Sequence, residues 1–287
     1  MRAKLALIGP ITPFRGGIAR HSTAMARAFA TRQDIDIEVE SFASLYPRLL
    51  YPGVSDRDPA TGARHSFRWN SSLGTLNPLT WRKAAARVAK RSAGVAIIPA
   101  WTFFVAPALG WMARRLHRNG ILVVMIVHNA ADHESSNWKS RLLNWQLAAA
   151  DGFITHTNDL AQQLRAASHA QPVTVTRHPA YSDFPEASGA LPRERALELL
   201  CFGLVRRYKG IEVALRALAA AGLSDVRLTI AGEVWEDSKT IRTLIESPEL
   251  RGKVELIDRY VSDAEAAELF ARCDAVLAPY RSVTGSG

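Results

Sequence analysis

Cysteine is nearly absent from this chain of 287 residues: Cys201 and Cys273 are the only two. Two cysteines in separate apolar runs make neither a disulfide framework nor a thiolate metal site, and they read as core residues in a reducing compartment. No run of about 18 apolar residues occurs, so no transmembrane helix is expected. The opening run Leu5-Ala6-Leu7-Ile8 is stopped by Gly9-Pro10, which makes it too short for a secretory signal and better suited to a first buried strand. Also missing are the G-x-G-x-x-G dinucleotide fingerprint and the G-x-x-x-x-G-K-[ST] phosphate loop. There is no short-period repeat, no Ser/His/Asp or Cys/His arrangement, and no obvious acid/base pair of carboxylates.

Acidic residues are scarce in one half only. Residues 1–184 hold 22 Lys and Arg against 11 Asp and Glu, whereas residues 185–287 hold 14 against 16. The whole net charge of +9 therefore comes from the first half. Such asymmetry points to an anionic partner for that half: a lipid headgroup, nucleic acid or a phosphorylated substrate. No RNA-recognition or DNA-reading motif accompanies the charge, so nucleic acid is the least favoured of the three.

What is present is a regular alternation. Apolar strand candidates fall at 4–8, 35–41, 94–98, 121–127, 152–155, 173–176, 197–202, 226–231, 254–257 and 275–278. Helical periodicity lies between most of them, at 18–30, 80–93, 106–118, 139–149, 159–167, 211–221 and 263–273. The alternation predicts an α/β fold with parallel sheets, and such sheets bind ligands beyond the carboxyl ends of their strands. The stretch 182–192, with its prolines, glycine and small polar residues, coincides with the charge break and sets two domains, 1–184 and 185–287. Residues 46–77 read as a long functional loop or lid. The chain stops on an unfinished βα unit, the pattern expected of a fragment whose second domain continues.

The sharpest local signal is the segment 202–210. An apolar strand runs into Gly203, then Arg206, Arg207 and Lys209 follow before Gly210 opens a helix. Cations and free backbone N–H groups are thus gathered at a strand's carboxyl end beside a helix N-terminus, a place suited to a diphosphate. Gly16-Gly17 is a second glycine-rich strand-to-helix turn, and His128-Asn129 ends a very apolar strand. Each has a plainer reading: an ordinary turn, a structural histidine, a solvated basic loop. His128, His133 and Glu134 match no strong zinc spacing, so no metal site is assigned. Basic helices at 82–91 and 106–118, the second with Trp111, have the composition of a surface that lies on anionic lipid, or simply of a solvated helix face.

Taken in order and spacing, these residues resemble glycosyltransferase family 4. The resemblance rests on Gly16-Gly17-Ile18-Ala19-Arg20-His21, on His128-Asn129, and on Phe202-Gly203 through Lys209-Gly210. It continues in Ile230-Ala231-Gly232-Glu233 and in 273–280. It implies two Rossmann-like domains of GT-B type, the second incomplete here, and glycosyl transfer with retention of configuration. It further implies that Gly16 and Gly17 approach the donor phosphates and that His128, with Asn129 beside it, faces the donor sugar. Arg206 and Lys209 would hold the departing diphosphate, Glu233 would line the nucleotide pocket, and Ser286 and Gly287 would open the helix that meets the phosphates. No bound metal or cofactor is implied. Leu204 stands where the family often has arginine, leaving Arg206 to supply that charge, and 281–287 lacks the family's common glutamate.

The function expected is transfer of a sugar from a nucleoside-diphosphate donor to a lipid-linked, polysaccharide or small-molecule acceptor, in cell-envelope polysaccharide assembly. The setting is cytoplasmic, on the inner face of the membrane. A nucleotide-sugar epimerase and an inert sugar-nucleotide or polyanion-binding module are the alternatives.

Overall fold

The structure is a computed structural model that describes residues 2–47, 55–58, 65–128, 137–167, 171–181, 184–189 and 191–281. It divides into two compact units, the first ending at Ala180 and the second starting at Tyr181.

The first unit is built on strands β1 (Ala3–Ile8), β2 (Ile35–Ser44), β3 (Arg68–Gly74), β4 (Val95–Ala100), β5 (Leu122–Val127), β6 (Gly152–Thr155) and β7 (Val173–Val175). All pair in parallel, in the order β3-β2-β1-β4-β5-β6-β7. Helices α1 (Gly17–Ala30), α2 (Pro78–Lys90), α3 (Ala106–His117), α4 (Asn137–Leu147) and α5 (Asn158–Ala166) connect them. Both faces of the sheet are covered, so the central strands are apolar throughout. Ile8, Ile98, Met125 and Val127 join one core cluster, while their neighbours Leu7, Ile97 and Ile126 join the other. β1 lies between β2 and β4, which makes the β1–β4 gap the point where the strand order reverses.

The second unit carries β8 (Leu197–Phe202), β9 (Val226–Ala231), β10 (Val254–Ile257) and β11 (Ala275–Val276), parallel and ordered β10-β9-β8-β11. Helices α6 (Ile211–Ala221), α7 (Ser238–Ile245) and α8 (Asp263–Arg272) complete it, and a single 3₁₀ turn covers Arg207–Lys209. Here the strand order reverses at β8. Helix α8 starts on a full capping box, in which the Ser262 hydroxyl accepts from the Glu265 amide while the Glu265 carboxylate accepts from the Ser262 amide. Cys201 is buried as expected, but Cys273 is only partly covered.

Three elements differ from the sequence reading. The segment 46–77 is not all loop: β3 occupies 68–74. Only Leu73 on that strand is buried, because β3 is an edge strand held to β2 largely by polar ladders. Asn70 donates to Glu38 and Glu40, and Arg68 to Asp36. Helix α7 is absent from the expected set because a single residue on it, Ile241, is buried. Strand β11 has two residues where four were expected.

One ion pair ties a helix to the edge of the first sheet. Glu40 on β2 is 1% exposed and receives a two-pronged bond from Arg87 on α2, Nε at 2.7 Å and Nη2 at 2.6 Å. Arg87→Leu takes away the charged partner of that carboxylate and leaves it the bond from Asn70. The expected cost is about 2–3 kcal/mol, below the roughly 3–5 kcal/mol of a fully buried pair because Arg87 itself is partly exposed. It is read as a lower urea midpoint at unchanged slope, and the double change Arg87→Leu with Glu40→Leu recovers much of the loss.

Candidate active site

In the second unit, β8 delivers the chain to Gly203 at the point of strand-order reversal. Gly203 has φ 97°, and a side chain there would meet the Lys209 ammonium at 2.9 Å. The glycine is therefore the seat of Lys209, whose Nζ lies against the end of β8. Gly210, at φ 64°, has a similar duty: its absent Cβ would sit 2.2 Å from the Pro279 carbonyl oxygen. Lys209 is largely buried, and that burial holds its pKa below the usual lysine value. Its ammonium lies 5.7 Å from the Tyr280 ring centre, and among the described residues it makes no ion pair.

The other two cations of this loop are engaged. Arg206 bonds Glu236 through Nε at 3.3 Å and Nη2 at 3.2 Å, and Arg207 pairs with Asp237 at 3.1 Å. Glu236 also accepts from the Arg207 amide at 2.9 Å, which is the chief reason its pKa is lowered. Glu233 is 9% exposed and accepts from the Trp235 indole at 3.3 Å. The arrangement offers an incoming polyanion one uncommitted ammonium at Lys209. A second cation, Arg206, becomes available by giving up its carboxylate.

In the first unit, Gly16 has φ 100° and precedes α1 with no side-chain cap; a Cβ on Gly16 or Gly17 would meet nothing within 4 Å. A phosphate can thus approach that backbone without steric cost. His21 projects from α1, His128 from the end of β5, His156 from the end of β6, and His178 lies just past β7. Their rings meet: His21 is 5.0 Å from His128, 5.1 Å from His156 and 5.6 Å from His178, centre to centre. His156 is 5.4 Å from His128 and 4.9 Å from His178. Burial is the main cause of low basicity here. It pushes His21 down to about 4 and His128 to about 3, and neighbouring imidazoles add to both shifts. His156 is lowered too, mainly by burial and against the bond it makes to the Thr176 carbonyl. The uncharged forms of His21, His128 and His156 are therefore favoured at neutral pH. Among the described residues, no three His, Cys, Asp or Glu side chains are grouped so as to hold a metal ion.

Of the residues expected at a site, Gly16, Gly17 and His128 lie in the first unit, and Arg206, Lys209 and Glu233 in the second. Asn129, His133, Glu134, Ser286 and Gly287 lie outside the described residues. Sequence reasoning missed His156 and His178, and took His21 only as part of a motif. The signal was available, since His156 follows its strand directly, as His128 does.

The family model for Glycosyltransferase Family 4 matches residues 15–179, and that for Glycosyl transferases group 1 matches residues 185–286. Two curated relatives from Xanthomonas campestris pv. campestris, both named GDP-mannose:glycolipid 4-beta-D-mannosyltransferase, are 29% and 28% identical over 180 residues. The match takes in 60% of this chain and 48% of each relative, so the chain spans about half the length of the curated relatives it matches. Among solved structures, Anabaena HepE in complex with UDP aligns with a TM-score of 0.68 at 15% identity, over 97% of this chain and 74% of that one. A glycosyltransferase from Rickettsia africae aligns at 0.67 and 13%, over 97% and 73%. At these identities the structural likeness speaks for the fold, two parallel-sheet α/β units of GT-B type.

The uncharged histidines predict an acid weakness. An imidazole with its folded pKa depressed stabilises fully above the unfolded value of 6.5. That contribution fades as the pH drops toward about 4 for His21 and about 3 for His128. Each pH unit below 6.5 withdraws up to about 1.4 kcal/mol per such histidine. Melting temperature should fall steadily from pH 6.5 to 5 in the native protein, and less steeply in His21→Gln and His128→Gln.

Proposed function

The chain belongs to glycosyltransferase family 4, and we propose that it moves a sugar from a nucleoside-diphosphate donor to a lipid-linked acceptor of the cell envelope. The observation that carries this reading is Lys209: a largely buried ammonium with no ion pair among the described residues, seated on Gly203 where the strand order reverses. A buried cation without a carboxylate is costly, and the charge of a bound diphosphate removes that cost. Arg206 joins it on leaving Glu236, Glu233 lines the nucleotide side, Gly16 and Gly17 admit the donor phosphates, and His128 faces the donor sugar. Asn129, Ser286 and Gly287 have their parts by resemblance alone. The cations and helix ends supply the charge that a metal ion would otherwise bring. A nucleotide donor is in keeping with HepE, solved with UDP, and with relatives named for GDP-mannose. The same name, with its glycolipid, favours a lipid-linked acceptor over a free saccharide.

The setting we propose is the cytoplasmic face of a membrane, with the protein held at the surface. No helix of the described residues is long and apolar enough to cross one. Helices α2, α3 and α4 pack side by side and contain eight Lys and Arg but no Asp or Glu. Leu79, Trp138 and Trp145 stand out from this layer at 64%, 55% and 39% exposure. Trp138, Leu142 and Trp145 line an open groove of about 580 Å³ with Pro107 and Arg141. Arg114 stacks over Trp145 at 3.9 Å. Indole rings among cations are the composition of a surface that rests on anionic headgroups.

Retention of configuration, which the resemblance implies, requires no base on the protein, because the departing diphosphate can collect the acceptor's proton on the same face. The relatives' name specifies a β-D-mannosyl product.

Thermal melting with UDP, GDP, ADP and dTDP tests the donor. One nucleotide should raise the melting temperature, by the equivalent of about 2.7 kcal/mol at a hundredfold excess over Kd. Lys209→Ala should weaken that nucleotide at least about tenfold. If no nucleotide shifts a folded protein, the transferase reading falls and an inert module replaces it. Donor isomerisation without any acceptor would instead name an epimerase.

Vesicle sedimentation tests the setting. The protein should pellet with phosphatidylglycerol vesicles at low salt and stay in solution with phosphatidylcholine. The double change Lys139→Glu with Arg141→Glu should lower binding by about tenfold or more, at roughly 1 kcal/mol per cation.

A further inference from the structure

Helices α3 and α4 share an apolar groove that the nucleotide site does not use. Each helix carries the chain from the end of one strand back to the start of the next, as a crossover in a parallel sheet must. Both helices therefore begin at the carboxyl edge of the first sheet. Pro107 of α3 and Trp138, Leu142 and Trp145 of α4 line the groove, with Arg141 as the charged member of the lining. Positions 138, 141, 142 and 145 have the spacing of one helix face. The core side of α4 is a different one, since Leu143 and Leu147 are the leucines it buries. The groove is thus a second apolar stripe, left open on a helix already packed on its other side.

Both indoles are held in place. Trp145 lies over Gly110 of α3, where any Cβ would collide with its ring, and the Arg114 guanidinium stacks on the same indole. Trp138 meets Phe103 edge-on at 5.1 Å. Phe103 stands just past β4, the strand that borders the β1–β4 gap, so Trp138 marks the carboxyl-edge end of the groove. Trp145 lies two helical turns further on, about 10 Å along α4. Cations stand at the Trp138 end. The Lys139 ammonium is 4.9 Å from the Phe103 ring centre, and Arg141 follows within one turn. Neither α3 nor α4 contains an Asp or Glu to oppose them.

We propose that this groove holds one hydrocarbon chain of the acceptor lipid, and that Lys139 and Arg141 hold the phosphate joining that chain to its sugar. The proposal rests on the lipid-linked acceptor read above. A phosphate-linked glycolipid has three parts in fixed order: hydrocarbon, phosphate, saccharide. The first unit offers their complements in the same order, all on its own elements: the apolar groove, the two cations, then the carboxyl edge where Gly16-Gly17 and His128 stand. A lipid seated this way presents its sugar at the edge where ligands of a parallel sheet bind. The groove is open along its side, so a chain enters laterally from a bilayer and need not thread through a tunnel. Its 580 Å³ lies within the range of about 300–1,000 Å³ that small-molecule sites occupy. Adsorption to a sheet of headgroups needs only a flat cationic face; two indoles fixed at either end of a groove suit a single chain.

The probe is dodecyl phosphate below its micelle concentration, titrated into the native protein by calorimetry. It should bind at least about tenfold more tightly than dodecyl maltoside, which has the chain without the charge. Inorganic phosphate at the same concentration should not bind. Shortening the chain to decyl should weaken binding by about tenfold, the effect of two methylenes taken out of an apolar site. Leu142→Trp fills the groove but removes no cation and no apolar surface. It should keep the native melting temperature and still pellet with phosphatidylglycerol vesicles, yet lose its hold on dodecyl phosphate. Lys139→Gln with Arg141→Gln should bring dodecyl phosphate down to the affinity of dodecyl maltoside. Three results overturn the proposal: no binding of dodecyl phosphate by the folded native protein, equal affinity for dodecyl maltoside, or unchanged binding in folded Leu142→Trp. If sugar passes to an extracted glycolipid while dodecyl phosphate fails to bind, the groove proposal alone falls. If dodecyl phosphate binds at Leu142 but no sugar is transferred, the groove stands as a lipid site and the transfer reading falls.

Discussion

In a sheet whose strands all run the same way, every strand releases its chain at one edge. The apolar interior of both sheets leaves few polar residues on the central strands, and a place they can readily stand is just past the carboxyl end. His128, His156 and Gly203 each follow directly on a strand, and Gly16-Gly17 closes the loop after β1. None of them was brought together by local sequence. Parallel pairing, with crossover helices between, places residues 21, 128, 156 and 178 within a ring's width of one another. The site chemistry is a consequence of topology, and strand order decides which of these loops become neighbours.

That edge is an unfavourable place to hold charge, and the two units deal with it differently. The second unit balances its cations with carboxylates from the loop after β9, as Glu236 and Asp237 do for Arg206 and Arg207. Lys209 is the exception, and its lowered pKa records the cost of that exception. The first unit sets imidazoles, not fixed charges, directly past β5 and β6. Protonated imidazoles in contact would repel one another, and burial, with that repulsion added, holds His21 and His128 well below the usual histidine value.

Much of the fold was legible because its central strands are continuous apolar runs. Leu122–Val127 has no polar residue, and a six-residue run of that kind between helical stretches admits few readings. The edges were not legible for the converse reason. β3 reads Arg-Trp-Asn-Ser-Ser-Leu-Gly, a string that becomes a strand through the partners β2 offers and not through its own pattern. In the site, the segment 202–210 was visible because strand, glycine, cations and helix are consecutive. The histidines were not, because they are separated by as much as 157 positions along the chain and only the sheet order joins them. A single histidine after a strand has a structural reading as good as a functional one, and it takes the other three to separate the two.

The net charge of the first half was likewise visible before the structure, but its meaning was not. Several of its arginines are spent internally: Arg87 on Glu40, Arg68 and Arg91 on Asp36. What remains is unevenly spread. The layer of α2, α3 and α4 lacks any carboxylate of its own and carries its exposed indoles among cations, whereas the strand edge of the same unit carries neutral rings. A basic composition therefore resolves into two separate properties, an outward cationic face and a cluster of packed imidazoles. Only the first of these is what the count of lysines and arginines measured.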